Sequence, residues 1–344
     1  MPGNEFNCLA TAIGSMPHTD AKSACAQVIR YLRDIPAWPQ LPRRAYVEDM
    51  NVQYSEGFPG VVVDTERRKI RVDRTQDLTQ PMEQLYTAFL ANDVDRYPIS
   101  RDYAAGLHEF LSLPNLTPRL VKGQVTGPVT WGLNVVDGEG KGIIYDDFLG
   151  DAVPKFLRLK AAWQEKRLKQ ICRGTIIFFD EPYMSAFGSV GMMLSREKVI
   201  SLLEEAFGGV DGLKGVHCCG NTDWSILLAT SVDIINFDAY GYAQSLSLYP
   251  KEVKRFIDRG GVVAWGIVPN TVEALDKESV ASLSDRLEEA MAPFTRQGVP
   301  FRQLIVQGLL TPSCGLSSLP DAESSGRALE LLAELSARIR RKYA

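Results

Sequence analysis

Thr175-Ile176-Ile177-Phe178-Phe179-Asp180-Glu181-Pro182 is an apolar run of strand length that stops at two carboxylates and a proline. Continuous rather than alternating apolarity is the pattern of a strand buried on both faces, as in a parallel sheet covered by helices. The flanks agree with that reading, because residues 146–172 and 196–206 carry helix-like amphipathic patterns on either side. The same alternation recurs outward in both directions. Strand-like runs fall at 9–15, 37–41, 120–126, 175–180, 215–219, 234–238, 262–267 and 304–310. Helix-like stretches fall at 20–33, 81–91, 101–111, 146–172, 196–206, 224–229, 250–259, 280–292 and 321–342. Eight strands alternating with helices predict a (β/α)8 TIM barrel of class α/β rather than a small doubly wound sheet, formed by residues 1–344 as a single domain. Val61-Val62-Val63-Asp64 and Lys69-Ile70-Arg71-Val72 flank a polar turn at 65–68, which reads as a β-hairpin inserted after the second strand, in the position of a lid.

Composition narrows the function. The chain has 344 residues, 45% hydrophobic and 23% charged, the balance of a soluble globular protein. With net charge −4 and no basic block, nucleic-acid binding is not expected. The longest apolar stretches, such as 261–268, are too short to span a bilayer. The segment Met1-Pro2-Gly3-Asn4-Glu5-Phe6-Asn7-Cys8 has no basic end and no apolar run, so it does not read as a signal peptide. Six cysteines without such a signal point to a reducing cytoplasm, where metal or redox chemistry is expected before disulfides.

In a barrel of this kind the site lies at the carboxyl ends of the strands. There the chain places Ile13-Gly14-Ser15, Glu48-Asp49, Thr126-Gly127-Pro128, Asp180-Glu181-Pro182, His217-Cys218-Cys219, Asp238, Pro269-Asn270 and Cys314. His217 and Cys219, two apart at a strand end, point the same way because side chains alternate with period two. Cys218 between them then points away. One imidazole and two thiolates, with Cys314 as the distant partner, make most of a tetrahedral zinc site and leave a fourth position exchangeable. By spacing alone these residues read equally well as buried core thiols and a satisfied core histidine.

Five short motifs in order resemble the catalytic C-terminal barrel of cobalamin-independent methionine synthase, within the superfamily of uroporphyrinogen decarboxylase and the corrinoid-dependent methyltransferases. They are Ala10-Thr11-Ala12-Ile13-Gly14-Ser15-Met16-Pro17, Val125-Thr126-Gly127-Pro128-Val129-Thr130, Phe179-Asp180-Glu181-Pro182, His217-Cys218-Cys219 and Ser313-Cys314-Gly315-Leu316. The extended form His217-Cys218-Cys219-Gly220-Asn221-Thr222 is closer to the methylcorrinoid:coenzyme M methyltransferases. The resemblance implies Zn2+ held by His217, Cys219 and Cys314, with Asp238 standing where the synthase has a ligating glutamate. It also implies homocysteine bound by Ile13, Gly14, Ser15 and Asp180, with Glu48 as a second carboxylate, and catalytic roles for Asp180 and Asp238. Bland alternatives remain at this point: a turn at Gly14-Ser15, an arginine partner for Asp180, and a capping carboxylate at Asp238.

Two departures shape the expected donor. The chain's only histidines are His18, His108 and His217, so the stretch after the seventh strand, Ala264-Trp265-Gly266-Ile267-Val268-Pro269-Asn270, lacks the histidine that in the synthase protonates folate. Asn134 stands where the synthase stacks a tryptophan on the folate ring, with Trp131 nearby, and the 344 residues hold no counterpart of the synthase's N-terminal domain. The resemblance therefore implies a zinc-dependent methyltransferase that makes methionine from homocysteine, with methylcobalamin or a methylated corrinoid protein as donor and partner. The alternatives are transfer to coenzyme M or another small thiol, a porphyrin decarboxylase-like activity, and a non-catalytic corrinoid- or thiol-binding protein, including one whose zinc is purely structural. The Asp180-Glu181-Pro182 and Ile13-Gly14-Ser15 motifs favour an amino-acid thiol among these.

Overall fold

The computed structural model describes residues 5–189 and 192–343; residues 1–4, where the N-terminal segment discussed above begins, lie outside the described residues. The strands are β1 (Leu9–Ala10), β2 (Val61–Asp64), β3 (Lys69–Val72), β4 (Val121–Thr126), β5 (Thr175–Asp180), β6 (Leu213–Cys218), β7 (Ile234–Phe237), β8 (Val262–Val268) and β9 (Gly308–Pro312). Seven of them form one sheet in the order β1-β9-β8-β7-β6-β5-β4, every pair parallel. Helices connect successive strands, so the fold is α/β with a curled parallel sheet, like a TIM barrel. β2 and β3 pair antiparallel, Val61 opposite Val72, across the polar turn read in the sequence.

The expected strand at 37–41 forms no ladder. It makes single parallel bridges, Ala37 to Lys122 and Gln40 to Ser15. The cause is in the sequence: Pro36, Pro39 and Pro42 have no N–H to donate, so only isolated bonds survive. Those that do survive reach both edges of the sheet, from Gln40 N to the Gly14 carbonyl at 3.0 Å and from Trp38 N to the Lys122 carbonyl at 3.3 Å. The expected strand at 304–310 also needs correction. Phe301–Val306 is helical and the strand begins at Gly308. A short apolar run such as Leu304-Ile305-Val306 fits either element, and Pro300 at the N-cap starts a helix instead. The first strand, expected over 9–15, ladders only at Leu9 and Ala10.

Alternation sorts the side chains into two cores. Leu9, Ile35, Ile176, Phe178, Ile234, Val262, Ala264 and Leu309 form a separate apolar cluster on the concave face of the sheet. A much larger cluster lies between the convex face and the helices. Asp147–Leu168 is the longest of the inter-strand helices, N-capped by Asp146, whose carboxylate accepts from Phe148 N and Leu149 N. Among the described residues no helix is long and apolar enough to cross a membrane.

Lys160 on that helix is fully buried and donates to the carbonyls of Glu56 and Pro98, each at 2.7 Å. It therefore ties the two ends of the β2–β3 region to the main body. Lys160→Met removes both donors at once, and two carbonyls left without a partner cost roughly 2–4 kcal/mol. Urea unfolding should show that loss as a lower midpoint at unchanged slope; a midpoint equal to wild type would mean the clamp contributes nothing.

Candidate metal centre

Register brings the polar residues to one rim. Thr126 pairs with Asp180 across β4 and β5, Asp180 with His217 across β5 and β6, and His217 with Asn236 across β6 and β7. All four share the face of the concave apolar cluster, because each stands two residues beyond one of its positions or pairs with a residue that does.

Asn236 sets the state of His217. Its Nδ2 donates to the Ala264 carbonyl and to Thr311 Oγ1, both at 2.8 Å, so its Oδ1 faces His217 Nδ1 at 2.5 Å. An oxygen there requires the imidazole proton on Nδ1, which leaves the Nε2 lone pair available. Nε2 lies 3.8 Å from Cys314 Sγ. One ligand atom from each of His217, Cys219 and Cys314 falls within 4.8 Å of the others. Ligands of a tetrahedral zinc stand about 3.4–3.8 Å apart, so these residues fit the ion with little movement.

Two supports carry this ligand set. His217 and Cys219 come from β6 and the residue just past it, and Cys218 between them is fully buried in the outer core, pointing away as the alternation requires. Cys314 comes from the turn after β9. That turn is tied down on both sides by Asn270, whose Oδ1 accepts from Ser313 Oγ at 3.2 Å and whose Nδ2 donates to the Gly315 carbonyl at 3.4 Å.

The electrostatics of these side chains follow from their crowding. The Cys314 thiol donating to Cys219, with His217 beside it, pulls the Cys219 thiol down to about 4 against burial. Cys314 is pushed far up by the same contact and by burial. Burial pulls the His217 imidazole down, but Cys219 and Asp180 outweigh it and raise it. A cation bound here would compete with the protons these side chains hold.

Asp180 is buried, and its Oδ1 has no partner among the described residues. Burial lifts its carboxyl to about 6, opposed by His217 and Lys122. Asp238 stands outside the three-residue ligand group; its Oδ1 accepts from Gly241 N at 2.6 Å, and burial lifts it to about 6. Glu48 sits in the turn Tyr46–Glu48, buried, with one oxygen on the Arg44 guanidinium and Oε2 without a partner. Tyr54 feels the charges of both Asp180 and Glu48. Glu181 turns to the other face, where its oxygens accept from Val129 N at 2.9 Å and Thr130 N at 2.7 Å and burial raises it to about 7.

The Ile13-Gly14-Ser15 segment adjoins the Cys314 turn. Leu316 N donates to the Ser15 carbonyl at 2.9 Å, and a Cβ on Gly315 would meet Ser15 Oγ at 2.1 Å. Gly14 has φ +146, and a Cβ there would strike Gln124 and Gln40, so glycine is required. The carbonyls of Ile13, Gly14 and Ser15 are all taken, by Lys122 Nζ, Gln40 N and Leu316 N. The N–H groups of Gly14 and Ser15 have no acceptor among the described residues. Trp131 is not at this rim; it is fully buried, edge-on to Phe58 at 4.9 Å. Asn134 Nδ2 bonds back to the Thr130 carbonyl at 3.0 Å.

Sequence reading missed Lys122, Asn236 and Thr311. The signal for the first two was present: Lys122 begins a polar series with Gln124 and Thr126 on one face of a buried strand, and Asn236 is the lone polar group of Ile234-Ile235-Asn236-Phe237. Thr311 carries no such mark.

Cys219→Ala and Cys314→Ala should each lose the metal yet keep the fold, because the two apolar cores do not depend on these residues. Cys218→Ala should keep about one zinc per chain. Elemental analysis with circular dichroism reads both; full zinc occupancy in the first two variants would remove them as ligands.

No family model matches the chain, and no curated protein matches it. Solved structures do. A B12-independent methionine synthase from Shewanella sp. W3-18-1, in complex with selenomethionine, superposes with TM-score 0.55 at 15% identity over 97% of this chain and 98% of that one. A putative vitamin-B12 independent methionine synthase from Listeria monocytogenes gives 0.56 at 13% identity, over 94% and 86%. A methyltransferase from Methanosarcina mazei gives 0.56 at 15% identity, over 100% and 95%. At these identities the likeness is one of fold, and it extends over nearly the whole of each chain.

Proposed function

We propose that the protein is a zinc-dependent methyltransferase that moves a methyl group to homocysteine to give methionine, with a methylcorrinoid as donor. The observation that carries this reading is the meeting of His217, Cys219 and Cys314 beside a buried carboxylate, Asp180, with an oxygen to spare. The fold neighbours described as methionine synthases and as a methyltransferase support it. The reading includes the 37–41 segment as the eighth stave of a closed barrel and the β2–β3 hairpin as an insertion after it.

Each residue has a task that follows from its surroundings. Asp180 accepts the substrate ammonium at Oδ1. The N–H groups of Gly14 and Ser15 face the substrate carboxylate, since their carbonyls are already bonded elsewhere. Asn236 keeps the His217 proton on Nδ1 and so keeps Nε2 a ligand. Zinc bound by His217, Cys219 and Cys314 would supply a thiol with the means to lose its proton near pH 7, where a free thiol with pKa near 8.5 is mostly protonated. Glu48, paired with Arg44, supports Asp180 as a neighbouring acid, and Asp238 shapes the turn beside Cys219. An amino-acid thiol fits an acid and two free N–H groups better than coenzyme M, which has no ammonium for Asp180 to meet.

Asp180→Asn should depress homocysteine use far more than zinc content. Losing a buried charge partner costs about 2–5 kcal/mol, or some 30-fold or more in kcat/KM. Equal turnover of wild type and variant across homocysteine concentrations would take Asp180 out of the substrate site.

The donor follows from what the rim lacks. A folate nitrogen needs a proton to leave, and the residues that follow β8, Pro269-Asn270, supply no histidine. Cobalt leaves methylcobalamin without one. The purified zinc protein should therefore make methionine from homocysteine with methylcobalamin or a methylated corrinoid protein, and negligibly with methyltetrahydrofolate. Side-by-side methionine assays decide it: comparable turnover with the folate would bring the corrinoid reading down, and no turnover with any donor would bring down the transferase reading.

A further inference from the structure

We infer that Lys122 is a positioning residue that turns the peptide between Ile13 and Gly14 so that the site recognises the carboxylate of its thiol substrate. The inference rests on the proposed function above.

Lys122 is fully buried and is the second residue of β4, paired with Ile176, below the layer in which Thr126 pairs with Asp180. Its ammonium lies over the Phe178 ring, 4.2 Å from the centroid. From there it donates to the Ile13 carbonyl at 2.7 Å and to Gln124 Oε1 at 3.2 Å. Taking an ammonium out of water is costly, so its retention at this depth calls for a role.

The role follows from peptide geometry. In a planar trans peptide the C=O and the next residue's N–H point in opposite directions. Lys122 draws the Ile13 oxygen down, below the layer of Thr126 and Asp180, so the Gly14 N–H of the same peptide points the other way, toward the rim. That N–H has no acceptor among the described residues. Gly14 tolerates the required backbone, at φ +146, and the neighbouring Ser15 is held against the Cys314 turn through Leu316 N. One ammonium thus sets the direction of a donor on the opposite side of a peptide from itself, beside the proposed ligand set.

A rival role is that Lys122 merely balances Asp180, whose charge it feels. The two roles differ in which part of the substrate they affect. A peptide-orienting lysine matters only to a substrate that carries a carboxylate. A counter-charge for Asp180 matters to any substrate that carries an ammonium.

The test compares homocysteine with 3-aminopropanethiol, the same molecule without its carboxylate, using methylcobalamin as donor. Wild type should prefer homocysteine by about 100-fold or more, as expected of a site built around a hydrogen bond to a group its competitor lacks. Lys122→Met should lose most of that preference: KM for homocysteine rises about 10-fold or more, while kcat and all constants for 3-aminopropanethiol stay within about threefold. Zinc should remain at about one per chain. Lys122→Gln, which keeps an N–H donor without the charge, serves if the Met variant does not fold. An equal loss for both thiols assigns Lys122 to Asp180 and overturns the inference. An unchanged preference also overturns it, as does failure of both variants to fold, which would make the lysine part of the core. Wild type inactive toward both thiols would instead defeat the proposed function itself, so the two failures are distinguishable.

Discussion

The parallel register of β4 to β7 is the constraint on which the rest of the site depends. Thr126, Asp180, His217 and Asn236 stand abreast because each strand's backbone bonds fix its neighbour. A slip of one residue would turn a whole set of side chains to the other face, with the interior apolar cluster exposed to the helices and the polar rim buried in the outer core. The apolar layer built on Phe178, Ile234 and Ala264 therefore supports the candidate metal site from below. It stabilises the one register in which His217 meets both Asn236 and Cys314.

Two motifs that look separate in the sequence are one physical unit. Asp180 and Glu181 are adjacent and so face opposite sides of the sheet. Asp180 goes to the rim, and Glu181 goes outward to the amino end of the Pro128–Asn134 helix, where it accepts two backbone N–H groups. Gly127 is required by the same contact, since a Cβ there would come within 2.2 Å of Glu181. The Thr-Gly-Pro and Asp-Glu-Pro runs thus hold each other. A buried acid thus caps a buried helix end.

The α/β alternation and the candidate ligands were legible in the sequence, because strand periodicity and motif spacing are local. His217, Cys219 and Cys314 could be picked out by residue type and position alone, and they do converge. The unreadable parts depended on three-dimensional compensation. The 37–41 run has the apolarity of a strand, but its prolines cancel the ladder, and nothing local says where the missing bonds are made good. Leu304-Ile305-Val306 is equally apolar as helix or strand. Thr311 matters only because Asn236 reaches it from another strand.

Where the prolines remove backbone donors, side-chain amides replace them. Gln40 Nε2 donates to Gln53 Oε1 at 2.7 Å and to the Tyr54 hydroxyl at 3.1 Å, and that hydroxyl donates to the Gln124 carbonyl at 2.6 Å. Gln164 takes Trp38 Nε1 at 2.9 Å and returns a bond to the Gln124 carbonyl at 2.9 Å. Gln124 in turn accepts from Lys122 and donates to the Trp38 carbonyl. These amides add to the backbone bonds that tie the segment to β4, from Lys122 N to the Pro36 carbonyl at 2.9 Å and from Trp38 N to the Lys122 carbonyl at 3.3 Å. The same network encloses Gly14, whose missing Cβ leaves room for Gln124 and Gln40. The amides beside the proline-rich 37–41 segment therefore also pack against the Ile13-Gly14-Ser15 segment.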